Sequence, residues 1–241
     1  MIRAALATIF CIALNAAVAT TSLAKELNVV FLNPGAAQDI GLWGVAANFM
    51  RAAADDLDIN LEILFADRDH YRMQDQANAV AARPVQPDYV IMVNERQRGP
   101  AMLRAFQDSS AKIVFLHNGL TGEQRAELGN EREAIPNWIA TIVQNERRAG
   151  YLLMQELASL HKGPAKVLAI SGEQATPVST IREQGLRDYI ARSGKGRIQV
   201  LQSVNGNWGR PDGREKTRGL LTRYDDVDII WAANDSMALG A

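Results

Sequence analysis

The sequence has 241 residues, of which 47% are hydrophobic and 22% are charged, and its formal net charge is −1 at pH 7. This composition is typical of a folded globular protein and excludes an intrinsically disordered chain. The near-neutral charge also argues against a nucleic-acid partner, because binding to nucleic acid draws mostly on clustered Lys and Arg.

The first 24 residues are typical of a cleaved secretory signal peptide. A basic start ends at Arg3, an apolar run extends from Ala4 to Ala19, and small residues follow in Ser22-Leu23-Ala24. The alternative is a membrane anchor or a buried helix, but the apolar run is shorter than the roughly 20 residues that span a bilayer. We therefore predict cleavage near Ala24 and a periplasmic location. The single cysteine, Cys11, lies in this segment, so the mature chain would contain no disulfide.

From residue 25 onward, short apolar runs alternate with amphipathic stretches of helical length. Strands are predicted at Leu27–Leu32, Leu61–Ala66, Tyr89–Val93, Ile113–Leu116, Val167–Ile170, Ile198–Val204 and Val227–Ala232. Helices are predicted at Leu42–Leu57, Met73–Ala82, Ala101–Gln107, Arg148–Leu160, Ser179–Arg192 and Gly213–Tyr224. Continuous apolar strands that alternate with helices indicate an α/β fold with parallel sheets covered on both faces.

The spacing of the predicted strands divides the chain into two lobes. A long interval separates the fourth strand from the fifth, and it ends in an extended-looking segment, Trp138–Val143. We interpret residues 121–143 as a crossing between an N-terminal α/β lobe, residues 25–120, and a C-terminal α/β lobe, residues 144–241. A complete second lobe should carry further strands, so we interpret this lobe as incomplete and the sequence as C-terminally truncated.

Asparagine recurs where the predicted strands end. Ligands of open parallel sheets bind beyond the carboxyl ends of the strands. An amide offers both donors and an acceptor without a net charge, which suits a sugar hydroxyl. The alternative for each asparagine is a local role in a turn or a helix cap. The candidate ligand contacts of this kind are Asn33, Asn94 with its neighbour Glu95, Asn118 and Asn234.

Two tryptophans and one arginine complete the candidate site. Trp43 and Trp208 follow the first and sixth strands, one in each lobe, and a flat ring can stack on the apolar face of a sugar. Arg182 opens the helix after the fifth strand, where its fork of donors can hold two hydroxyls or a carboxylate. The alternatives are core packing for the tryptophans and an exposed helical position for the arginine. Trp138 and Trp231 are interpreted as crossing-strand and core residues.

Two segments carry a family resemblance. Val178–Gly185 and Ile230–Gly240, with its Ala-Asn-Asp-x-Met-Ala-Leu-Gly stretch, resemble the sugar-binding periplasmic proteins of ABC transporters, such as the ribose-, galactose- and autoinducer-2-binding receptors. The resemblance implies a two-lobed type I periplasmic-binding-protein fold. It also implies that Arg182 and Asn234 contact the ligand.

The same resemblance bears on the remaining candidate residues. It implies that Trp43 and Trp208 flank the sugar. The family often has aspartate after the third strand, where this sequence has Asn94 followed by Glu95. The implied function is capture of a sugar or related polyol in an interlobe cleft, by a monomer that delivers it to the membrane permease of an ABC transporter. Closure would bend the chain around residues 118–143.

Three other functions were weighed. Repressors of the lactose-repressor type share the two-lobed domain but begin with a helix-turn-helix where this chain has a predicted signal peptide. A periplasmic sensor that presents its ligand to a chemoreceptor or kinase would use the same closure, and the sequence leaves it open. A carbohydrate-active hydrolase would need paired carboxylates, for which Asp67, Asp69 and Glu95 are the candidates. No motif indicates a nucleophile, a cofactor or a metal, so we expect a binding protein and not an enzyme.

Overall fold

The computed structural model describes residues 26–241, which form two parallel β-sheets flanked by helices. The strands are β1 (Leu27–Asn33), β2 (Ile59–Phe65), β3 (Tyr89–Met92), β4 (Lys112–Leu116), β5 (Trp138–Ile142), β6 (Ala165–Ser171), β7 (Ile198–Asn205) and β8 (Ile229–Ala232). The α-helices are α1 (Leu42–Asp56), α2 (His70–Ala81), α3 (Gly99–Ala105), α4 (Gly122–Leu128), α5 (Glu146–Leu160), α6 (Pro177–Tyr189), α7 (Arg210–Leu221) and α8 (Asp235–Ala238). The predicted signal peptide, with Cys11, lies outside the described residues.

Each sheet has its own hydrophobic core. The first sheet has the strand order β2-β1-β3-β4-β5 and the second has the order β7-β6-β8, and all pairings are parallel. Phe31 and Phe115 are fully buried in the first core, and Ile170 and Trp231 are fully buried in the second. The predicted α/β class, with parallel sheets flanked by helices, is confirmed.

The first sheet has five strands, whereas four were expected from the sequence. Residues 121–143, interpreted above as a crossing, contain α4 and β5, and β5 pairs in parallel with β4. Trp138, in β5, is fully buried and its ring packs edge-on against Phe115 with centroids 5.8 Å apart. The segment was expected to be extended but was assigned to a crossing, because it lies in the long interval between the fourth and fifth apolar runs. In the structure it is the edge strand of the first sheet, and its end is exposed, with Ile142 60% accessible to solvent.

An ion pair holds the segment between α4 and β5. Arg125 donates two hydrogen bonds to the carboxylate of Glu131, with lengths of 2.9 and 2.7 Å, and its guanidinium lies 5.1 Å from the centroid of the Trp138 ring. These hydrogen bonds lower the pKa of Glu131 from 4.5 to about 2. Because the pKa is lower in the folded state, the pair stabilises the fold above pH 4.5 and loses its contribution as the pH falls towards 2.

Replacing Glu131 with glutamine should therefore lower the free energy of unfolding near neutral pH by about 1–2 kcal/mol, a value reduced for solvent screening. Urea unfolding at several pH values measures this difference. The difference in the free energy of unfolding between wild type and E131Q should become smaller as the pH falls below the ordinary glutamate pKa. Glu123→Gln, on the exposed side of α4, is the control and should show no such narrowing. If this difference did not change with pH, the ionised carboxylate of Glu131 would not stabilise the fold through Arg125.

Two glycines allow α5 and α6 to pack in close main-chain contact. A methyl group added at Gly150 would collide with the carbonyl oxygen of Arg182, and one added at Gly185 would collide with the carbonyl oxygen of Arg147. Both glycines are buried. Since α6 carries Arg182 and α5 begins at Glu146, this contact fixes the distance between those two side chains.

Gly185→Ala should destabilise the fold by about 1–3 kcal/mol, because the added methyl group must push the two helices apart. Gly219→Ala in α7 is the matched control: nothing lies within 4 Å of its added Cβ, so the helix should gain up to about 1 kcal/mol. Thermal unfolding of both variants measures the effect. Equal stability of the two variants would show that the helices do not depend on the glycine contact.

Candidate functional site

A cleft of about 1080 Å³ opens between the two sheets at the carboxyl ends of their strands. Segments that follow β1, β3 and β4 form one wall, and segments that follow β6, β7 and β8 form the other. Ligand sites in proteins are typically clefts of about 300–1,000 Å³, so this one is large enough for a small molecule with some water. Six of the eight predicted site residues line it: Trp43, Glu95, Asn118, Arg182, Trp208 and Asn234.

Asn33 and Asn94 do not line the cleft, and both amides are used within their own lobe. Asn33 is fully buried; it donates to the carbonyl oxygen of Trp43 at 3.0 Å and accepts from the amide of Gly35 at 2.8 Å. Asn94 is also fully buried; it donates to the Gly119 carbonyl at 2.9 Å and accepts from the Gly99 amide at 2.7 Å. The expected ligand contact of these two residues is thus replaced by a role in holding loops beneath the cleft.

Asn118 and Glu95 form the buried part of the first wall. Asn118 is only 3% exposed, and its Oδ1 accepts no hydrogen bond from the described residues. Glu95 is 2% exposed, with Oε1 2.9 Å from the Nη2 atom of Arg68 but not in hydrogen-bonding geometry. Burial raises the pKa of Glu95, and the charge of Arg68 only partly opposes this. Both residues line the cleft, and these two acceptor oxygens lie buried just beneath its wall.

Trp43 lies mostly beneath the surface of the same wall. It is 6% exposed, and its ring meets the ring of His117 edge-on with centroids 5.4 Å apart. The Nδ1 atom of His117 lies 2.9 Å from Oε1 of Gln144, within hydrogen-bond distance. Burial lowers the pKa of His117, which favours the neutral imidazole. Trp43 thus supports His117, and both residues line the cleft.

Arg182 anchors the second wall through a buried carboxylate. Its Nε donates to Oε2 of Glu146 at 2.5 Å, and its Nη1 donates to the carbonyl oxygen of Ala233 at 2.6 Å. Glu146 is 4% exposed, so this pair is shielded from solvent and strong. Two of the five guanidinium donors are engaged in this way, and Arg182 itself lines the cleft.

Trp208 packs next to Arg182. The guanidinium carbon of Arg182 lies 5.9 Å from the centroid of the Trp208 ring. The indole rests on Gly172, where any Cβ would overlap the ring. Asn207 and Trp208 both adopt left-handed backbone conformations, with φ of 46° and 65°. Such conformations cost energy for residues other than glycine and concentrate at functional sites, so the loop is held in an orientation that turns the indole to the cleft.

Asn234 combines a cap with a place on the cleft wall. Its Oδ1 accepts from the amide of Met237 at 2.9 Å and so caps α8, and its Nδ2 donates to the carbonyl of Trp208 at 3.1 Å. The second hydrogen of Nδ2 and the second lone pair of Oδ1 are not used by these bonds. Asn234 therefore has the local capping role that was its alternative interpretation, and it also lines the cleft.

Side chains from the two lobes meet at the cleft. Arg96, which follows β3, forms an ion pair of 2.5 Å with Glu173, which follows β6. Nδ1 of His117, at the end of β4, lies 4.0 Å from Oε1 of Glu146, at the start of α5. The first contact joins opposite charges across the boundary between the sheets, and the second places an imidazole that burial keeps neutral beside a carboxylate.

Among the residues of the site that were not predicted from the sequence are two charged partners and two polar wall residues. Arg68 and Glu146 are the charged partners of Glu95 and Arg182, and His117 and Thr176 line the cleft. A usable signal existed for Glu146, because Asn145 caps α5 and an acidic residue in the first turn is favoured there. The other three gave no signal in the sequence beyond their position after a strand.

The carboxylates considered for a hydrolase do not form a pair in the cleft. The Asp67 carboxylate pairs with Arg72, and Asp69 accepts from the amides of Tyr71 and Arg72 as the cap of α2. Glu95 is the one member of that set that lines the cleft. The proposed acid and base are therefore not brought together.

Comparison with known proteins identifies the family. The profile of the periplasmic binding protein domain matches residues 29–241. The chain therefore belongs to that family, whose members are binding proteins, and the resemblance described above is confirmed. A crystal structure of a periplasmic sugar-binding protein from Pseudomonas fluorescens superposes with a TM-score of 0.77 and 36% identity, covering 89% of this chain and 62% of that one.

Two relatives match over shorter segments. A putative rhizopine-binding protein of Rhizobium meliloti is 28% identical over 109 residues, which cover 45% of this chain and 35% of the relative. The ribose import binding protein of Salmonella typhimurium is 34% identical over 77 residues, which cover 32% of this chain and 25% of the relative. The matches thus span about a third and a quarter of these relatives' lengths.

Between residues 26 and 241, no helix is both long and apolar enough to cross a membrane. Within the same range, no group of three or more His, Cys, Asp or Glu side chains is placed to hold a metal ion.

Replacing Glu146 with glutamine tests the anchor of Arg182. We expect the free energy of unfolding to fall by about 1–3 kcal/mol, because the partly buried guanidinium of Arg182 loses its buried charged acceptor. Glu156→Gln on the exposed side of the same helix is the control and should change stability little. Chemical denaturation measures both. If the two variants were equally stable, Glu146 would not be the residue that holds Arg182.

Proposed function

We propose that this protein captures a sugar or related polyol in the cleft between its two sheets, without catalysing a reaction. The observation that carries the proposal is the convergence of Asn118, Arg182 and Trp208, which come from three strand ends in two sheets, on one cleft. An amide, a guanidinium and an indole together supply hydroxyl acceptors, hydroxyl donors and an apolar stacking face. A neutral, hydroxyl-rich molecule needs all three.

The relatives support this class of ligand. The proteins reported above are named as binding proteins for a sugar, for rhizopine and for ribose. Proteins of that kind hold their ligand for a transport system, so we propose that this chain acts in the periplasm as the monomeric binding component of an ABC importer. Its partner would be the membrane permease.

Closure of the lobes would couple capture to delivery. The ion pair of Arg96 with Glu173 joins the lobes at the cleft, and a ligand that contacts both walls would add to it. The hinge expected around residues 118–143 would then lie at the end of that range, between β5 and α5, and bending there would separate the walls and release the ligand. The closed arrangement is then the one that the permease distinguishes from the open one.

Binding of neutral monosaccharides and polyols by the purified protein tests the proposal. At least one compound should raise the melting temperature in a thermal-shift screen, and calorimetry should then give its affinity. Asn118→Ala should weaken that affinity by about 1–3 kcal/mol, because the ligand loses a buried hydrogen-bond partner.

The matched control is Asn48→Ala on the exposed surface of α1, which should leave the affinity unchanged. A screen in which amino acids or nucleosides bind and no sugar, polyol or derivative of either binds would reject the proposal. Equal affinities of the N118A and N48A variants would remove Asn118 from the site.

A further inference from the structure

One ion pair outside the cleft wall joins the two lobes, which are residues 26–143 with the first sheet and residues 144–241 with the second. Nη2 of Arg96, after β3, lies 2.5 Å from Oε1 of Glu173, after β6. Every other ion pair that Arg and Lys side chains form with carboxylates in the described chain stays within one lobe. Neither Arg96 nor Glu173 lines the cleft. The pair therefore joins the lobes without occupying the surface that a ligand would contact.

The backbone of the first lobe fixes the position of Arg96. Arg96 and Gln97 both adopt left-handed conformations, with φ of 44° and 61°. The amide of Arg98 donates to the carbonyl oxygen of Glu95 at 3.0 Å, and Nε2 of Gln124 donates to the carbonyl oxygen of Gln97 at 3.0 Å. These hydrogen bonds hold a turn that costs energy for residues other than glycine. The turn places Arg96 opposite the second lobe without help from a ligand.

Glu173 is held in a similar way. Its carbonyl oxygen accepts from the amide of Thr176 at 3.1 Å, in the turn that precedes α6. Its side chain is 19% exposed and that of Arg96 is 39% exposed, so water reaches the pair only in part. Surface ion pairs are weak largely because two mobile side chains must be ordered and water screens their charges. Both costs are reduced here.

The pair lies away from the place where the chain passes between the lobes. That connection runs from β5 to α5, and β4 separates β3 from β5 in the first sheet. Two strand spacings correspond to about 10 Å. The approach of His117 to Glu146, by contrast, involves the first residue of α5. Opening by a bend at the connection must therefore break the pair of Arg96 with Glu173.

The net charges of the lobes also favour their approach. Residues 26–143 contain 16 Asp and Glu against 10 Lys and Arg, whereas residues 144–241 contain 11 Asp and Glu against 14 Lys and Arg. The first lobe is therefore negative and the second is positive at pH 7, and opposite charges attract. This attraction is screened over about 8 Å at physiological salt, so it acts mainly when the lobes are already close.

We infer that the ion pair of Arg96 with Glu173 is a latch that holds the lobes together before a ligand binds, and so sets ligand affinity from outside the cleft wall. A ligand that binds only the closed form has an apparent Kd equal to its intrinsic Kd divided by the closed fraction. A stronger latch therefore tightens binding without touching the ligand. This effect on affinity rests on the proposed function, whereas the latch itself needs no ligand.

Small-angle X-ray scattering of the ligand-free protein tests the latch directly. Glu173→Gln and Arg96→Gln should each give a larger radius of gyration than the wild type, because the closed form loses its charged contact. Raising NaCl from about 0.1 M to about 1 M shortens the screening length from roughly 10 to 3 Å, so the wild type should expand more than either variant. Arg98→Gln is the matched control, because its guanidinium lies over the Tyr71 ring of its own lobe, 4.4 Å from the centroid. It should scatter like the wild type.

A charge swap separates the latch from other effects of the substitutions. The double variant R96E/E173R should be more compact than R96Q or E173Q, because it restores opposite charges at the same two positions. The double variant R96Q/E173Q should expand no more than either single variant, since the second substitution removes nothing further. A circular dichroism melt verifies that each variant folds, and the salt series of the wild type decides the question if a variant does not.

Calorimetry with D-ribose, D-galactose and myo-inositol measures the consequence for binding. A compound that binds the wild type should bind R96Q and E173Q about three- to fivefold more weakly, and R98Q equally well.

The outcomes separate this inference from the proposed function. Equal radii of gyration for the wild type, R96Q and E173Q at low salt would overturn the latch and leave the proposed function standing. A charge-swapped variant as expanded as the single variants would overturn it as well. Failure of all three compounds to bind would count against the proposed function, while the scattering would still decide whether the latch exists.

Discussion

The buried ion pair between Arg182 and Glu146 is the interaction on which the second wall of the cleft depends. A carboxylate that is removed from water needs a charged partner in good geometry, and here the partner is fixed because α5 and α6 touch at glycines. The same guanidinium also holds the carbonyl of Ala233 at the end of β8. One side chain therefore ties two helices and a strand end together, and the donors it retains are already oriented when a ligand arrives. Such preorganisation reduces the ordering that binding requires.

The sequence was sufficient to predict the elements whose burial is complete. The run that predicted strand β6 is apolar on both faces, and the structure buries six of the seven residues of Ala165–Ser171. Strand β5 was expected to be extended, but its place at the edge of the first sheet was not predicted, because pairing with β4 cannot be deduced from the local pattern. Helix α4 was missed because it is short, although Thr121 and Gln124 form a capping box that the sequence contained. Short elements at an edge are decided by pairing with distant residues, which local patterns do not contain.

The cleft residues also differ in how far the sequence could predict them. The rule that ligands bind beyond the carboxyl ends of parallel strands brought six predicted side chains to one cleft. It could not tell Asn118 from Asn33, since both follow strands. The difference is that Oδ1 of Asn33 accepts a hydrogen bond from the amide of Gly35, whereas Oδ1 of Asn118 accepts none from the described residues. The pairing of Arg68 with Glu95 could not be predicted from the sequence either. Arg68 lies in a loop and has a positive φ, and this backbone conformation sets the direction of its side chain.

The packing of the Trp208 ring has a consequence for how this cleft could change over evolution. The indole lies directly on Gly172, so its tilt is set by a residue with no side chain. Even one methyl group at that position would displace the ring towards the facing lobe and narrow the space between the walls. The size of molecule that the cleft accepts is thus adjustable from a position that no bound molecule would touch.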